Sequence, residues 1–149
     1  MAFLQQSTTK LLPIFFNVSA NVGRNCPNQP EDVALVSFLL VKWVEATGGP
    51  QTKPLAARVN IGTYDQNLQA LIDSLLQQHA AEQAGSTVDG HISRATPGAT
   101  YNHGRSGFMI CIANYHVARN YSMQWPRIDL IPGSIPAIKA IVDREIMAS

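Results

Sequence analysis

A chain of 149 residues that is 46% hydrophobic and 14% charged carries enough apolar side chains for one compact domain with a sizeable core, and too many for a disordered segment. A net charge of +1 with no clustered Lys/Arg run supplies no field for nucleic acid or anionic lipid, and no run of ~18 apolar residues is present to span a membrane. Charged residues fall well short of the usual share of about a quarter, so part of the surface is expected to be covered by other protein subunits, in a homo-oligomer or a larger assembly.

Residues 1 to 10 read as a polar arm. No basic start precedes a long apolar run, and the stretch Leu11 to Phe16 is short and broken by Pro13. The chain is therefore expected to be made in the cytoplasm without a signal peptide and, if it acts outside, to leave by a non-standard route. Residues 12 to 22 read as a strand, with Ile14, Phe16, Val18 and Ala20 alternating with Phe15, Asn17, Ser19 and Asn21. After a turn through Gly23 and Pro27 comes the clearest element, a helix from about Pro30 to Val44. Asn28 and Glu31 have the spacing of a capping box, with Pro30 in the first turn and Glu31 and Asp32 at the positive end of the dipole. Its apolar residues cover nearly the whole circumference, leaving a strip near Ala34, Ser37, Lys42 and Glu45 for water. Gly48-Gly49-Pro50 is expected to end it through a left-handed glycine.

A loop over 51–57 and a short extended piece at Arg58 to Ile61 lead to a second helix, 63–84. Thr63 and Gln66 repeat the capping spacing, and Leu68, Leu71, Ile72, Leu75, Leu76 and His79 recur at three and four. Asp89-Gly90 marks a tight turn. Residues 93–107 form a long Gly-, Ser- and Asn-rich loop, a length that is usually functional or mobile in a compact domain. Phe108 to Asn120 reads as a helix capped at Ser106, with Met109, Ile112, Ala113, His116 and Val117 inward. The stretch 121–133 is irregular, and Ser134 caps a last helix, 134–147.

Cys26 and Cys111 are too few for a disulfide framework and read as isolated thiols, with a single bridge as the alternative for an exported chain. The four histidines lack zinc spacing, and His79 and His116 sit on apolar helix faces where a core imidazole is the commoner outcome. No metal or cofactor is expected. Asp89 with His91 and His103 could pair a carboxylate with imidazoles for acid–base work, but Asp89 is more simply a turn former. Ser106 and Cys111 have no nucleophile-elbow context. Tyr101, Asn102, His103 and Arg105 offer an aromatic face and forked donors on the long loop. Trp125 with Arg127 makes a similar offer, unless Trp125 packs down as a lid. The candidate ligand-binding residues are thus Asp89, His91, Tyr101, His103, Arg105, Trp125 and Arg127.

Three pieces taken together, Asp32-Val33 with Leu35, Val36, Leu39 and Leu40, then Val88-Asp89-Gly90, then a helix containing Ile112 and Tyr115, resemble the peptidoglycan-binding-like domain of bacterial cell-wall proteins. The lead-in Val22-Gly23-Arg24-Asn25 and Asn28-Gln29-Pro30 is similar too. About a third of the chain carries the likeness. Ser37 and His116 stand where the family has glutamine, and Ile92-Ser93-Arg94 replaces the glycine and threonine after the Asp-Gly turn. The resemblance implies a small helical bundle in which that turn fixes the entry to the later motif helix, and cell-wall glycan as the ligand. The expected molecule is a mainly α single domain over 1–149, with about four helices and one or two short N-terminal strands. It is expected to be a non-catalytic recognition or attachment module rather than an enzyme. The alternative is a structural or adaptor subunit of a phage-like or secretion assembly, and a small hydrolase or secreted toxin is the weakest reading.

Overall fold

The computed structural model describes residues 1–82, 88–96 and 107–148. In chain order these form strands β1 (Phe3–Gln6), β2 (Ile14–Asn17) and β3 (Val22–Gly23), helices α1 (Pro30–Thr47), α2 (Lys53–Arg58) and α3 (Gln66–Glu82), strand β4 (His91–Ile92), helix α4 (Met109–Asn120), a 3-10 turn (Ile128–Leu130), helix α5 (Pro136–Val142) and a π turn (Asp143–Met147). The fold is mainly helical, as the hydrophobic periods require. Its strands form two antiparallel pairs, β1 with β2 and β3 with β4.

Helix α1 is the axis of the molecule, with α2, α4 and α5 packed around it and β2 behind α4. Every residue from Asp32 to Lys42 is buried, so the expected water-facing strip is lost at Ala34, Ser37 and Lys42 and survives only at Glu45. The polar members of that strip have found protein partners instead. The Ser37 hydroxyl donates to the Ala34 carbonyl and accepts the Gly62 amide at 2.9 Å. The Lys42 ammonium lies 3.5 Å from Glu45 and 5.9 Å from the centre of the Phe38 ring. Gly133 backs onto it so closely that a Cβ there would fall 2.7 Å from Nζ.

The ends of α1 differ from expectation. Gln29 occupies the cap position and no side chain caps the helix. Asn28 stands in the left-handed region at φ 48°, where its amide bonds both the N–H and the carbonyl of Gly23, at 2.8 and 2.9 Å. Glu31 turns to Arg144 rather than back to the cap. At the other end Gly48 is extended rather than left-handed. A side chain there would strike Val44, with a Cβ 2.6 Å from its carbonyl oxygen, so it is close approach that calls for glycine.

Other boundaries move for local reasons. The expected polar arm is β1, which pairs with β2 from Phe3 opposite Asn17 to Gln6 opposite Ile14. Strand β2 is shorter than expected and does not alternate, because Phe15, Phe16 and Asn17 are all fully buried. The loop after α1 contains α2, and the piece before Gly62 is a turn rather than a strand. Helix α3 is capped by Asp65, whose Oδ1 accepts the amides of Asn67 and Leu68 at 2.9 and 3.1 Å, in place of Thr63. The last helix starts at Pro136 with Ile135 at the cap, and Ser134 makes no cap bond. Ser106 lies outside the described residues, as do 97–105.

Where the chain is irregular inside the core, amide side chains replace missing backbone partners. Asn114, fully buried on α4, accepts the Phe16 amide at 2.8 Å and donates to the carbonyls of Phe16 and Ile110, both at 2.8 Å. Asn17 does the same for Ala95 and Val18. Replacing Asn114 with Leu keeps the volume but strands both polar groups of Phe16, and at roughly 1–3 kcal/mol for each orphaned group the expected loss is about 2–6 kcal/mol. Urea unfolding of Asn114→Leu against the parent measures it. A midpoint within error of the parent would mean that the clamp carries no stability.

Candidate functional site

Three helices bring their C-terminal halves to one place. Trp43 and Thr47 come from α1, Leu75, Gln78, His79 and Glu82 from α3, and Ile112, Tyr115, His116, Arg119 and Asn120 from α4. These residues line two adjoining cavities that share Trp43, Gln78, Glu82 and His116. The smaller is about 80 Å³ and the larger about 360 Å³. The first has room for a few waters, and the second lies at the lower end of the size range of small-molecule sites.

The geometry at the centre is flat. The Trp43 and His116 rings stack with centroids 4.8 Å apart and planes only 3° from parallel. Tyr115 meets His116 edge-on at 5.6 Å, and the Arg119 guanidinium donates from Nη1 to the Tyr115 hydroxyl at 3.0 Å. The Thr47 hydroxyl donates to the Trp43 carbonyl at 3.2 Å, which holds the last turn of α1 beneath the indole. Burial, then the neighbouring Arg119 charge, hold the His116 imidazole below its ordinary proton affinity, against a smaller opposite pull from Glu82. The imidazole is therefore neutral at pH 7 and offers a hydrogen-bond donor and an acceptor without a charge.

The residues singled out from the sequence lie elsewhere. Asp89 and His91 flank the bend that leads into β4, with Asp89 Oδ2 3.5 Å from His91 Nε2 and Oδ1 3.4 Å from the His91 amide. Gly90 between them takes φ +80°, and its carbonyl accepts the Arg24 amide at 3.2 Å and Gln69 Nε2 at 2.8 Å. Gln69 is bonded in turn to Tyr64 and to Asp73, and Asp73 pairs with Arg24 at 2.9 Å. These contacts fasten the β3–β4 pair to α3, so Asp89 forms the turn as the Asp-Gly pattern requires. Cys26, beside this bend, is a thiol in no disulfide that burial and the Asp89 carboxylate push up, and Cys111 is buried and in no disulfide. A thiol held protonated in this way is a poor nucleophile.

Trp125 has packed down, with its ring edge-on to Phe16 at 5.6 Å. Both arms of the Arg127 fork are taken by Asp129, at 2.9 and 2.8 Å. Among the described residues no hydrogen bond, ion pair or ring contact links the Asp89–His91 pair to Trp125 or Arg127. Tyr101, Asn102, His103 and Arg105 lie outside the described residues. No group of three or more His, Cys, Asp or Glu side chains among the described residues is placed to hold a metal ion. The groove residues were missed because Trp43, His79 and His116 each read as core on their own helix. The available signal was that two helices end alike, with an aromatic or imidazole side chain followed four residues on by a polar one: Trp43 with Thr47, and His116 with Asn120.

Compared with known protein families, curated proteins and solved structures, the chain matches none.

The lowered proton affinity of His116 has a consequence for stability. The unfolded chain takes up a proton at this imidazole near its ordinary value of 6.5, whereas the folded protein takes it up only at lower pH. Its contribution is therefore complete above about 6.5 and is lost as the pH falls through the folded value. Urea midpoints measured from pH 7.5 to 5 should fall on the acid side, and His116→Gln should flatten that part of the profile. An unchanged slope in the variant would remove His116 as the cause.

Proposed function

We propose that the protein is a non-catalytic recognition or attachment module whose ligand lies in the groove between α1, α3 and α4, with cell-wall glycan as the ligand class. The observation that carries this reading is the flat Trp43–His116 pair. It lines both cavities and is ringed by Gln78, Glu82, Arg119, Asn120 and Thr47. Saccharides present alternating apolar faces and hydroxyl edges, and a site with a flat aromatic patch and surrounding amide, hydroxyl and charged groups meets both. The likeness of Asp32 to Leu40, Val88 to Gly90 and the Tyr115 helix to peptidoglycan-binding-like domains supports the same choice of ligand.

A second reading, a structural subunit of a larger assembly, draws on one observation. An open and mostly apolar groove of about 630 Å³ runs between the start of α1, the turn at Ile61 and the start of α5, with Ala34, Ile135, Ala137 and Ala140 along it. It predicts a native mass well above 16.2 kDa without glycan binding.

The test of the first reading is co-sedimentation of the purified protein with peptidoglycan sacculi. The parent should pellet with them, and Trp43→Ala should weaken the association by about tenfold or more, the scale of one aromatic contact of roughly 1.4 kcal/mol. Because Trp43 also packs against the core, the surface variant Gln78→Ala should show a smaller loss in a protein of unaltered Tm. Protein that stays in the supernatant at every concentration would discard the glycan reading.

A further inference from the structure

Two opposite charges stand on the walls of the groove, and among the described residues neither has an ion-pair partner. Glu82 ends α3 and Arg119 lies in the last turn of α4, and both line the larger cavity. Glu82 accepts one long bond from Gln78, at 3.4 Å, and Arg119 spends one arm on the Tyr115 hydroxyl. Both charges act on the same imidazole, from opposite directions. They line the same cavity as His116, from two different helices.

The backbone adds to one side of this arrangement. Helix C-termini carry unpaired carbonyls and about half a negative charge each, which favours a cation within the last turn. Here α1 and α4 both direct that end towards one groove, where Glu82 of α3 adds its own charge. A cationic or N–H donor group is favoured on the Glu82 side, whereas the Arg119 fork suits a carboxylate, which it can hold with two parallel bonds. A neutral sugar would use the flat rings and the amide of Gln78 but would leave both charges to water.

We infer that the groove binds a zwitterionic ligand of the amino-acid or short-peptide class, with its ammonium against Glu82 and its carboxylate on Arg119, beside the Trp43–His116 stack. This rests on the groove being the ligand site and narrows the ligand to the peptide-bearing part of a cell-wall glycan. His116 supplies a neutral contact between the two charged ends, so that a zwitterion meets charge only where it carries the opposite one.

The experiment is calorimetric or NMR titration of the full chain with four probes: the dipeptide alanyl-alanine, its N-acetyl form, its C-terminal amide, and neutral chitotetraose. The free dipeptide should bind best, and each blocked form should bind about tenfold more weakly. Glu82→Gln should erase the difference between the free and N-acetyl forms, and Arg119→Gln the difference between the free and amide forms. Both side chains are exposed, so the variants should keep the parent Tm. In parallel, sacculi stripped of their peptides by an amidase should capture less protein than intact sacculi, which separates peptides on the wall from free peptide. Chitotetraose binding with no response to the dipeptide, or blocked forms that bind as well as the free one, would overturn the zwitterion inference while leaving a glycan site in place. Failure of every probe and of intact sacculi would remove the groove as a ligand site altogether.

Discussion

Burying a helix on every side leaves no room for an unpaired polar group, and α1 places a carboxylate, a hydroxyl and an ammonium within its buried stretch. Asp32 is fully buried and accepts the amides of Ser19 and Ala20 and the Ser19 hydroxyl, at 3.0, 3.2 and 2.9 Å. It therefore takes the role of a missing strand partner for the chain leaving β2. Ser37 ties the Gly62 turn to the middle of the helix, and Lys42 reaches out beneath Gly133 towards Glu45. The Asp32 and Ser37 bonds connect α1 to segments with no regular secondary structure of their own, and Lys42 meets another such segment by close approach at Gly133. Because an orphaned buried group costs about as much as a lost core methylene or two, these polar residues decide how the irregular segments lie, while Leu35, Phe38, Leu39 and Leu40 supply most of the apolar burial.

That constraint also places the candidate site. With the flanks of α1 covered by α2, α4 and α5, its final turns are where the helix meets open space, at Trp43 and Thr47. Helices α3 and α4 end beside it, so the groove is built from residues on three rigid elements whose inner faces are fixed by the core. Ile112 and Leu75 show the continuity: both are buried core side chains and both form the floor of the smaller cavity. A site made in this way needs little reordering of backbone when a ligand enters, which lowers the entropic cost of binding.

Much of this was legible in the sequence, and what was not shares a cause. Helix α1, the amphipathic α3 and the Asp-Gly bend follow from local patterns, because the residues that decide them are three or four apart. The errors arose where a distant partner wins. Asn28 has the right spacing to cap α1, but its amide is drawn to Gly23 across the preceding turn. Gln5 and Gln6 look solvated, yet β2 needs a neighbour and takes residues 3–6. Ser37 and Lys42 read as a water-facing strip, because nothing nearby announces the Gly62 turn or Gly133. The groove is the extreme case: Trp43, His79, His116 and Tyr115 are each unremarkable on their own helix, and their meaning lies in three helix ends meeting. The loop residues favoured from composition, Tyr101, His103 and Arg105, lie outside the described residues, and Arg127 is committed to Asp129.

The electrostatics of the groove follow from the same meeting of helix ends. The C-termini of α1 and α4 add negative character beside Glu82, and a half-buried histidine in such a field would ordinarily be drawn towards protonation. His116 is held the other way, because burial first and then the nearby Arg119 outweigh the opposite pull of Glu82. Arg119 thus adds to what burial does: it offsets the carbonyl end of α4 and favours the uncharged imidazole. An uncharged imidazole can lie flat against Trp43 with both rings partly desolvated, whereas an imidazolium there would have to shed its hydration beside a guanidinium. Burial of the planar stack and the cation at its rim therefore favour the same uncharged imidazole, which links the aromatic and the charged parts of the site.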